Sequence, residues 1–409
     1  MPFDLESPDF RTHLHRTFAA MRREAPVYRH ELPPGQTVFN AGTAWYITRY
    51  DDAKAALKDH ELFTREFPRA VPPEQLEKMP QLPPIMRSFT ENMVNRDEPE
   101  HRRLRALVNK AFAPRMVTNL EGRITSYAQQ LLDGLQANGT MEAMEDFCFP
   151  LTVDVIRALL GLPDSPEDYD LLRQVATIAP PADPSAFEPT ARILGRAREY
   201  FEAHYAARRE QPTDDLISSL VQAEIDGDRL DPEALFSMTM LLAVAGFKTT
   251  AYLIGNGIAT LLQNPDELAK LKGDWALADS AVEEVLRYEG PMETAIMRWA
   301  ARDAEWQGQQ IRQGDMVFVA LAAANRDSDR FDDPNRFDIT RKPNPHIAFG
   351  SGIHFCLGAH LARLEARIAL RTLFTTLPDL ELAVSPEALT WRQDPPMRGL
   401  DALPLRWSV

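Results

Sequence analysis

Apolar residues recur at helical spacing over about 100–112, 117–137, 151–160 and 187–210, and again over about 232–263 and 278–289. The stretch 232–263 begins at Asp231-Pro232 and stops near Asn264-Pro265, and Gly290-Pro291 closes 278–289. A last long helix is expected from Cys356 to Leu377. Strand character is confined to short pieces: Trp45 to Tyr50, 294–301 and 316–321. Asp51-Asp52 is expected to cap a short helix running to Lys58. Two proline-rich stretches break the pattern, one over 67–99 and one at Ala179-Pro180-Pro181-Ala182-Asp183-Pro184. Connections of that length usually carry function. The pattern predicts a mainly α fold with small β-sheets. No linker, repeat or low-complexity tract divides the chain, so residues 1–409 are expected to form one domain.

Composition narrows the class. With 45 Lys and Arg against 60 Asp and Glu, the formal charge is −15, which disfavours nucleic acid and anionic lipid as partners. The two cysteines, Cys148 and Cys356, make no disulfide framework, which fits a reducing cytoplasm. The N-terminus lacks the basic and apolar regions of a secretion signal. Met238 to Leu262 is long enough to cross a bilayer, but Gly246, Lys248, Thr249, Thr250 and Asn256 interrupt it. A lysine at mid-bilayer costs ~3 kcal/mol, so a buried central helix is expected and no membrane association.

The most informative stretch is Phe349-Gly350-Ser351-Gly352-Ile353-His354-Phe355-Cys356-Leu357-Gly358. Its glycines permit a tight turn, and the cysteine stands where an amphipathic helix begins, with Leu357, Leu361, Leu364 and Ile368 on one face. Free amides and the helix dipole at such an end favour a thiolate. A lone cysteine is usually an inert core residue, and Cys148 among Phe147, Phe149 and Leu151 reads that way. The glycine spacing sets Cys356 apart. The stretch resembles the haem-binding signature of the cytochrome P-450 family, phenylalanine-glycine-x-glycine-x-histidine-x-cysteine-x-glycine, at every position. The similarity extends over nearly the whole chain and has the character of the soluble bacterial members.

The resemblance implies haem b held between the central helix and the cysteine helix, with Cys356 on the iron and Phe349, Gly350, His354 and Gly358 around it. His101 and Arg105, four apart on one helix, and Arg298 join His354 as expected partners of the haem propionates. Glu284 and Arg287, three apart on a helix, and Arg336, 20 residues before Cys356, are expected to form a buried structural network. On the central helix, Ala245 and Gly246 would leave room above the iron, and Thr249 matches the threonine that handles bound oxygen.

One position departs from the family: Lys248 stands where an acidic residue is usual. An ammonium with pKa near ~10 is a poor proton shuttle, so Lys248 either alters proton delivery or turns away to a structural partner. The implied activity is insertion of one oxygen atom from dioxygen into a small organic substrate, with secondary metabolism as a candidate setting. A peroxide-driven enzyme without a redox partner stays open on account of Lys248. A non-catalytic haem or ligand-binding protein is opposed by Thr249. Substrate contacts are expected from 67–99, 176–190, Leu242, Ala245, Met292, Glu293 and Thr294, with Glu293 able to orient a polar substrate or to face water. A monomer is expected, fed by a separate ferredoxin or flavodoxin-type donor that docks on Arg102, Arg103, Lys110, Arg115, Arg363, Arg367 and Arg371.

Overall fold

The computed structural model describes residues 3–7, 9–32, 42–77, 83–89, 91–112, 114–178, 187–393 and 395–409. Helices dominate, gathered around one large apolar core, with a five-stranded mixed sheet to one side. That sheet runs in the order Val27–Glu31, Thr43–Ile47, Met316–Val319, Arg298–Ala300, Phe63–Thr64. Its register sets Arg298 against Val317 and Phe63 against Ala300, which brings three distant parts of the chain beside one another. A three-stranded sheet, Glu381–Leu382, Pro404–Arg406 and Thr140–Glu142, closes the C-terminus onto the helical body.

The long central helix exists but is broken. It runs Pro232–Ala245, pauses at Gly246, and resumes over Phe247–Gln263. Thr249 Oγ1 donates to the Ala245 carbonyl at 2.7 Å, the back-bonding that bends helices where a carbonyl loses its regular partner. The two halves sit in different surroundings. From Thr250 to Leu261 every residue is buried, whereas Leu241, Leu242, Val244, Ala245 and Gly246 remain partly open. By length and composition, Pro232–Gln263 is the one helix among the described residues able to cross a membrane; here its second half lies inside the core. Asn256 fixes that half by donating to the carbonyls of Glu289 (3.0 Å) and Arg398 (2.9 Å).

Three other helices carry the site. Glu100–Ala111 holds His101 and Arg105, Ala278–Glu289 holds Glu284 and Arg287, and Ala359–Thr376 follows the cysteine. The last begins three residues later than expected, because Cys356 to Gly358 still belong to the turn. It packs on the central helix so closely that a side-chain carbon at Gly257 would lie 3.5 Å from Leu370.

Two local expectations need correction. Asp51 and Asp52 do not cap the helix Tyr50–Lys58; the Tyr50 backbone N–H donates to Asp327 Oδ2 at 2.8 Å instead. A further helix, Pro166–Thr177, was not expected, although its signals are in the sequence. Ser165 accepts from the Asp168 N–H at 3.1 Å, and Pro166 occupies the first turn.

Candidate functional site

The loop ahead of the cysteine folds as its glycines dictate. Gly350 and Gly352 both have φ +75°, a conformation that a side chain resists. At Gly352 a side-chain carbon would also lie 2.8 Å from the Leu57 carbonyl oxygen. The Cys356 N–H donates to the Phe349 carbonyl (3.0 Å) and the Gly350 N–H to the Ile347 carbonyl (2.9 Å), so the cysteine is presented by a closed turn. At Gly358 the space that a side chain would fill holds no protein atom within 4 Å.

Cys356 is open to solvent on one side and hemmed in by protein on the others. That burial pushes its thiol pKa up, opposed by the Gly358 N–H, Arg105 and Arg363. The Gly358 N–H and the two guanidinium groups are the contacts that favour a thiolate at this position. Cys148 is fully buried in the apolar core, and burial raises its pKa as well.

Beside the loop, four nitrogen-bearing side chains converge. The rings of His101 and His354 lie 4.5 Å apart, and Arg105 donates to the Ile353 carbonyl at 3.2 Å. Arg298 reaches only long contacts, to the carbonyls of Phe63 (3.3 Å) and Leu57 (3.5 Å). The Nε atoms of Arg298 and Nε2 of His354 are buried without a hydrogen-bond partner. Burial lowers the pKa of Arg298 to about 10 and of His354 to about 4. Buried donors left unmatched are costly, so this set fits an anionic group with several acceptor oxygens. A haem offers two carboxylates for these donors, an iron for Cys356 and a flat apolar face for the open space at Gly358. The residues present fit that group.

The central helix contributes an opening. Ala245 is exposed and Thr249 half-buried. Gly246 does not open the same way: its missing side chain would lie 3.5 Å from Ile156 in the core. Lys248 is half-buried and has a partner among its neighbours.

The charge network forms, with one member exchanged. Glu284 and Arg287 are fully buried and joined by two hydrogen bonds of 2.7 and 2.8 Å. Arg336 is not the third member. The turn that joins the Arg336 N–H to the Asp333 carbonyl points its side chain outward, 62% exposed, and offers only its carbonyl to Arg287. Arg341 takes the place, donating from Nε to Glu284 at 3.2 Å and from its other nitrogens to the carbonyls of Asp332, Asp333 and Arg336. Nothing in sequence spacing distinguishes these two arginines.

A second network, not anticipated, links the cysteine helix to the same supporting helix. Glu283 accepts from Arg363 at 2.5 and 2.9 Å and lies 3.0 Å from His346 Nε2, while Arg363 stacks on Phe349. Burial works against its ionisation, but His346 and Arg363 outweigh it and hold its carboxyl at about 2. Glu365 on the cysteine helix is also buried, and burial alone raises its pKa.

The expected substrate wall is partly rearranged. Glu293 is buried and salt-bridged to Arg11 at 3.1 Å, so it neither faces water nor stands free for a substrate. Thr294 is buried and Met292 and Leu242 are half-buried. The residue missed was Ile296, which is 47% exposed; Phe355 beside the cysteine is 42% exposed. Of the proline-rich stretches, residues 78–82, 90 and 179–186 lie outside the described residues.

The basic face is largely neutralised. Arg102 pairs with Glu98, Arg103 with Glu100 and Asp228, and Arg367 with Glu121 and Asp279; Lys110 donates to the Glu224 carbonyl. Arg363 is held by Glu283. Arg115 and Arg371 are exposed.

Comparisons agree with this geometry. Residues 169–387 match the family profile described as Cytochrome P450. The polyketide biosynthesis cytochrome P450 PksS of Bacillus subtilis (strain 168) is 40% identical over 397 residues, 96% of each chain. Its solved structure matches with a TM-score of 0.89 over 100% of both chains, at 38% identity. The cytochrome P450 monooxygenase PikC of Streptomyces venezuelae is 40% identical over 402 residues, 98% of this chain and 92% of that one. A myxobacterial cytochrome P450, CYP267B1, solved with myristic acid, matches with a TM-score of 0.89 at 41% identity over 99% of both chains. The chain therefore belongs to the cytochrome P450 family, and it is a haem b monooxygenase of the bacterial type that acts on small organic molecules.

Proposed function

We propose that Cys356 is the axial ligand of the haem iron and that His101, Arg105, Arg298 and His354 hold the haem carboxylates. The observation that carries this reading is the pair of buried nitrogens without hydrogen-bond partners, Arg298 Nε and His354 Nε2, beside a glycine-framed cysteine. Bound haem supplies dioxygen activation and oxygen transfer. The protein's own residues do the rest. Phe349 packs behind the loop with Arg363 stacked on it, and Gly350, Gly352 and Gly358 let the backbone approach a flat ring. Thr249 commits its proton to the Ala245 carbonyl, which leaves its oxygen lone pairs to accept a hydrogen bond at the opening beside Ala245. Leu242 and Ile296 supply an apolar wall, with Met292 and Thr294 behind it.

The substrate on this reading is a largely apolar molecule without a cationic anchor, because Glu293 is tied to Arg11. A polyketide or fatty-acyl product of secondary metabolism fits that chemistry. The names of PksS and of the myristic acid complex support it. Electrons come from a separate ferredoxin-type donor in the cytoplasm, meeting a monomer folded as one domain. Surface pairs such as Arg102 with Glu98 contribute little, so these arginines can exchange partners when an acidic donor docks.

Two measurements test the proposal. Titration with myristate and with neutral macrolactones should shift the Soret band, and cationic analogues of the same size should not. Turnover should require a ferredoxin and its reductase; equal turnover with hydrogen peroxide alone would replace this reading with the peroxide-driven one.

A further inference from the structure

Asp97 stands in Asn95-Arg96-Asp97-Glu98-Pro99, just before the helix that carries His101 and Arg105, and it is 0% exposed. An ionised carboxylate so placed needs donors on every side. Thr64 Oγ1 donates to it, as do the Arg65 N–H at 3.2 Å and Arg69 Nη1 at 3.0 Å. His354 Nε2 lies 3.8 Å away, within ion-pair range but beyond a hydrogen bond. Burial opposes ionisation, yet these neighbours outweigh it and bring the carboxyl down to about 2. Asp97 is thus an anion enclosed among cations, next to a site built to receive two further anions.

Its connections explain why it is there. Arg65 and Arg298 are both buried, and each suffers from the other's charge or from desolvation; Asp97 is the carboxylate that supports both. Arg65 has committed its nitrogens to Val94, Asn95 and Met297. Arg298 has not, and one of its acceptors is the carbonyl of Phe63, next to Thr64, which Asp97 holds. The Asp97 carbonyl also accepts from the His101 N–H at 2.7 Å. The Asp97 side chain therefore fastens the strand beneath Arg298 and faces His354, while its backbone carbonyl holds the start of the His101 helix.

We infer that Asp97 is a positioning residue for the haem carboxylates, setting Arg298 and His354 from behind without touching the haem. The inference rests on the haem-site reading above. The holoprotein provides the test, with three readouts: haem transfer to excess apomyoglobin, the iron midpoint potential, and the melting temperature of the haem-free chain. Asp97→Asn keeps the shape and removes the charge. Haem release should quicken by about tenfold, the scale of a lost supporting partner, with the haem-free chain melting near the parent. Removing an anion should move the midpoint positive, whereas Arg69→Gln, which leaves the Asp97 charge less offset, should move it negative. Arg69 is 34% exposed, so that variant decides the matter even where Asp97→Asn does not fold. Combined with His354→Ala, Asp97→Asn should add less than its full effect. Unchanged release in Asp97→Asn beside faster release in His354→Ala overturns the positioning role alone. Shifts of the same sign in Asp97→Asn and Arg69→Gln, or no shift in Arg69→Gln, overturn it too. Unchanged release in His354→Ala overturns it together with the haem-site reading.

Discussion

The cysteine side of the molecule and the wall that carries Glu293 both bury charge, but only the first builds on pairs that are close in sequence. On the cysteine side the pairing starts from neighbours in sequence, Arg287 reaching Glu284 three residues back and the loop closing between Cys356 and Phe349, and Arg341 and Arg363 join from 57 and 80 residues away. On the other side, Glu293 finds Arg11, and Glu289 finds His15 and Arg398, 274 and 109 residues away. The helix Ala278–Glu289 and the strand after it contribute to both. Short-range pairs follow from helical geometry. Long-range pairs depend on how chain ends dock, which no local pattern contains.

The sharpest test of the comparison is Cys356→Ala. It should abolish the red-shifted Soret band of the reduced carbon monoxide complex, while Cys148→Ala should keep it. Loss of the band in the Cys148 variant alone would reverse the assignment.

Next in size is the network at Glu284. Arg287→Ala leaves a buried carboxylate short of its main partner and should cost ~3–5 kcal/mol, seen as poor expression or haem-free protein. Arg341→Ala should cost less, because Arg287 still neutralises Glu284. Arg336→Ala should stay within about 0.5 kcal/mol, as expected for an exposed side chain. Chemical denaturation of the three variants ranks them; an Arg336 variant as weak as Arg341→Ala would restore the expectation from sequence.

On the opposite wall, Arg11→Ala strands Glu293, and the cost should reach ~2–3 kcal/mol, in the range for a buried group left unsatisfied. Glu293→Gln should leave the panel of binding molecules unchanged, whereas Ile296→Ser should weaken every apolar member. A Glu293 variant with altered ligand preference would show that the carboxylate faces the substrate after all.

The same contrast explains what could be read in advance. Long helices with clear caps were legible, and so were the cysteine loop and the pair Glu284 and Arg287. His101 and Arg105 were singled out by the family resemblance, since their helical spacing alone would equally suit a solvated basic face. Arg341 was not, since choosing it over Arg336 requires knowing which way the turn at Asp333 points its side chains. Asp97 was hidden because its donors Thr64, Arg65 and Arg69 come from the end of the strand Phe63–Thr64 and the short helix Phe67–Ala70 after it, which only the tertiary fold brings alongside. Ile296 was passed over because apolar residues are expected inside, and its exposure is visible only in the fold.

Lys248 carries the smallest expected effect and joins the two sides, because it lies on the broken central helix beside Thr249. If its ammonium faced the bound oxygen, the coupling of electrons to product would be poor, and Lys248→Glu would improve it. We favour the structural role instead. Lys248 is half-buried with a partner among its neighbours, and Thr249 closes the helix break through the Ala245 carbonyl. Lys248→Glu should therefore cost about 1 kcal/mol through the lost contact, with no gain in product per electron. Thr249→Ala should lower that ratio, and Thr249→Ser should retain it, because the serine hydroxyl can bond the same carbonyl. Product yield per electron and melting temperature, measured on one preparation of each variant, separate the two roles. A Lys248→Glu protein that is better coupled and equally stable would place the lysine in the path of the protons.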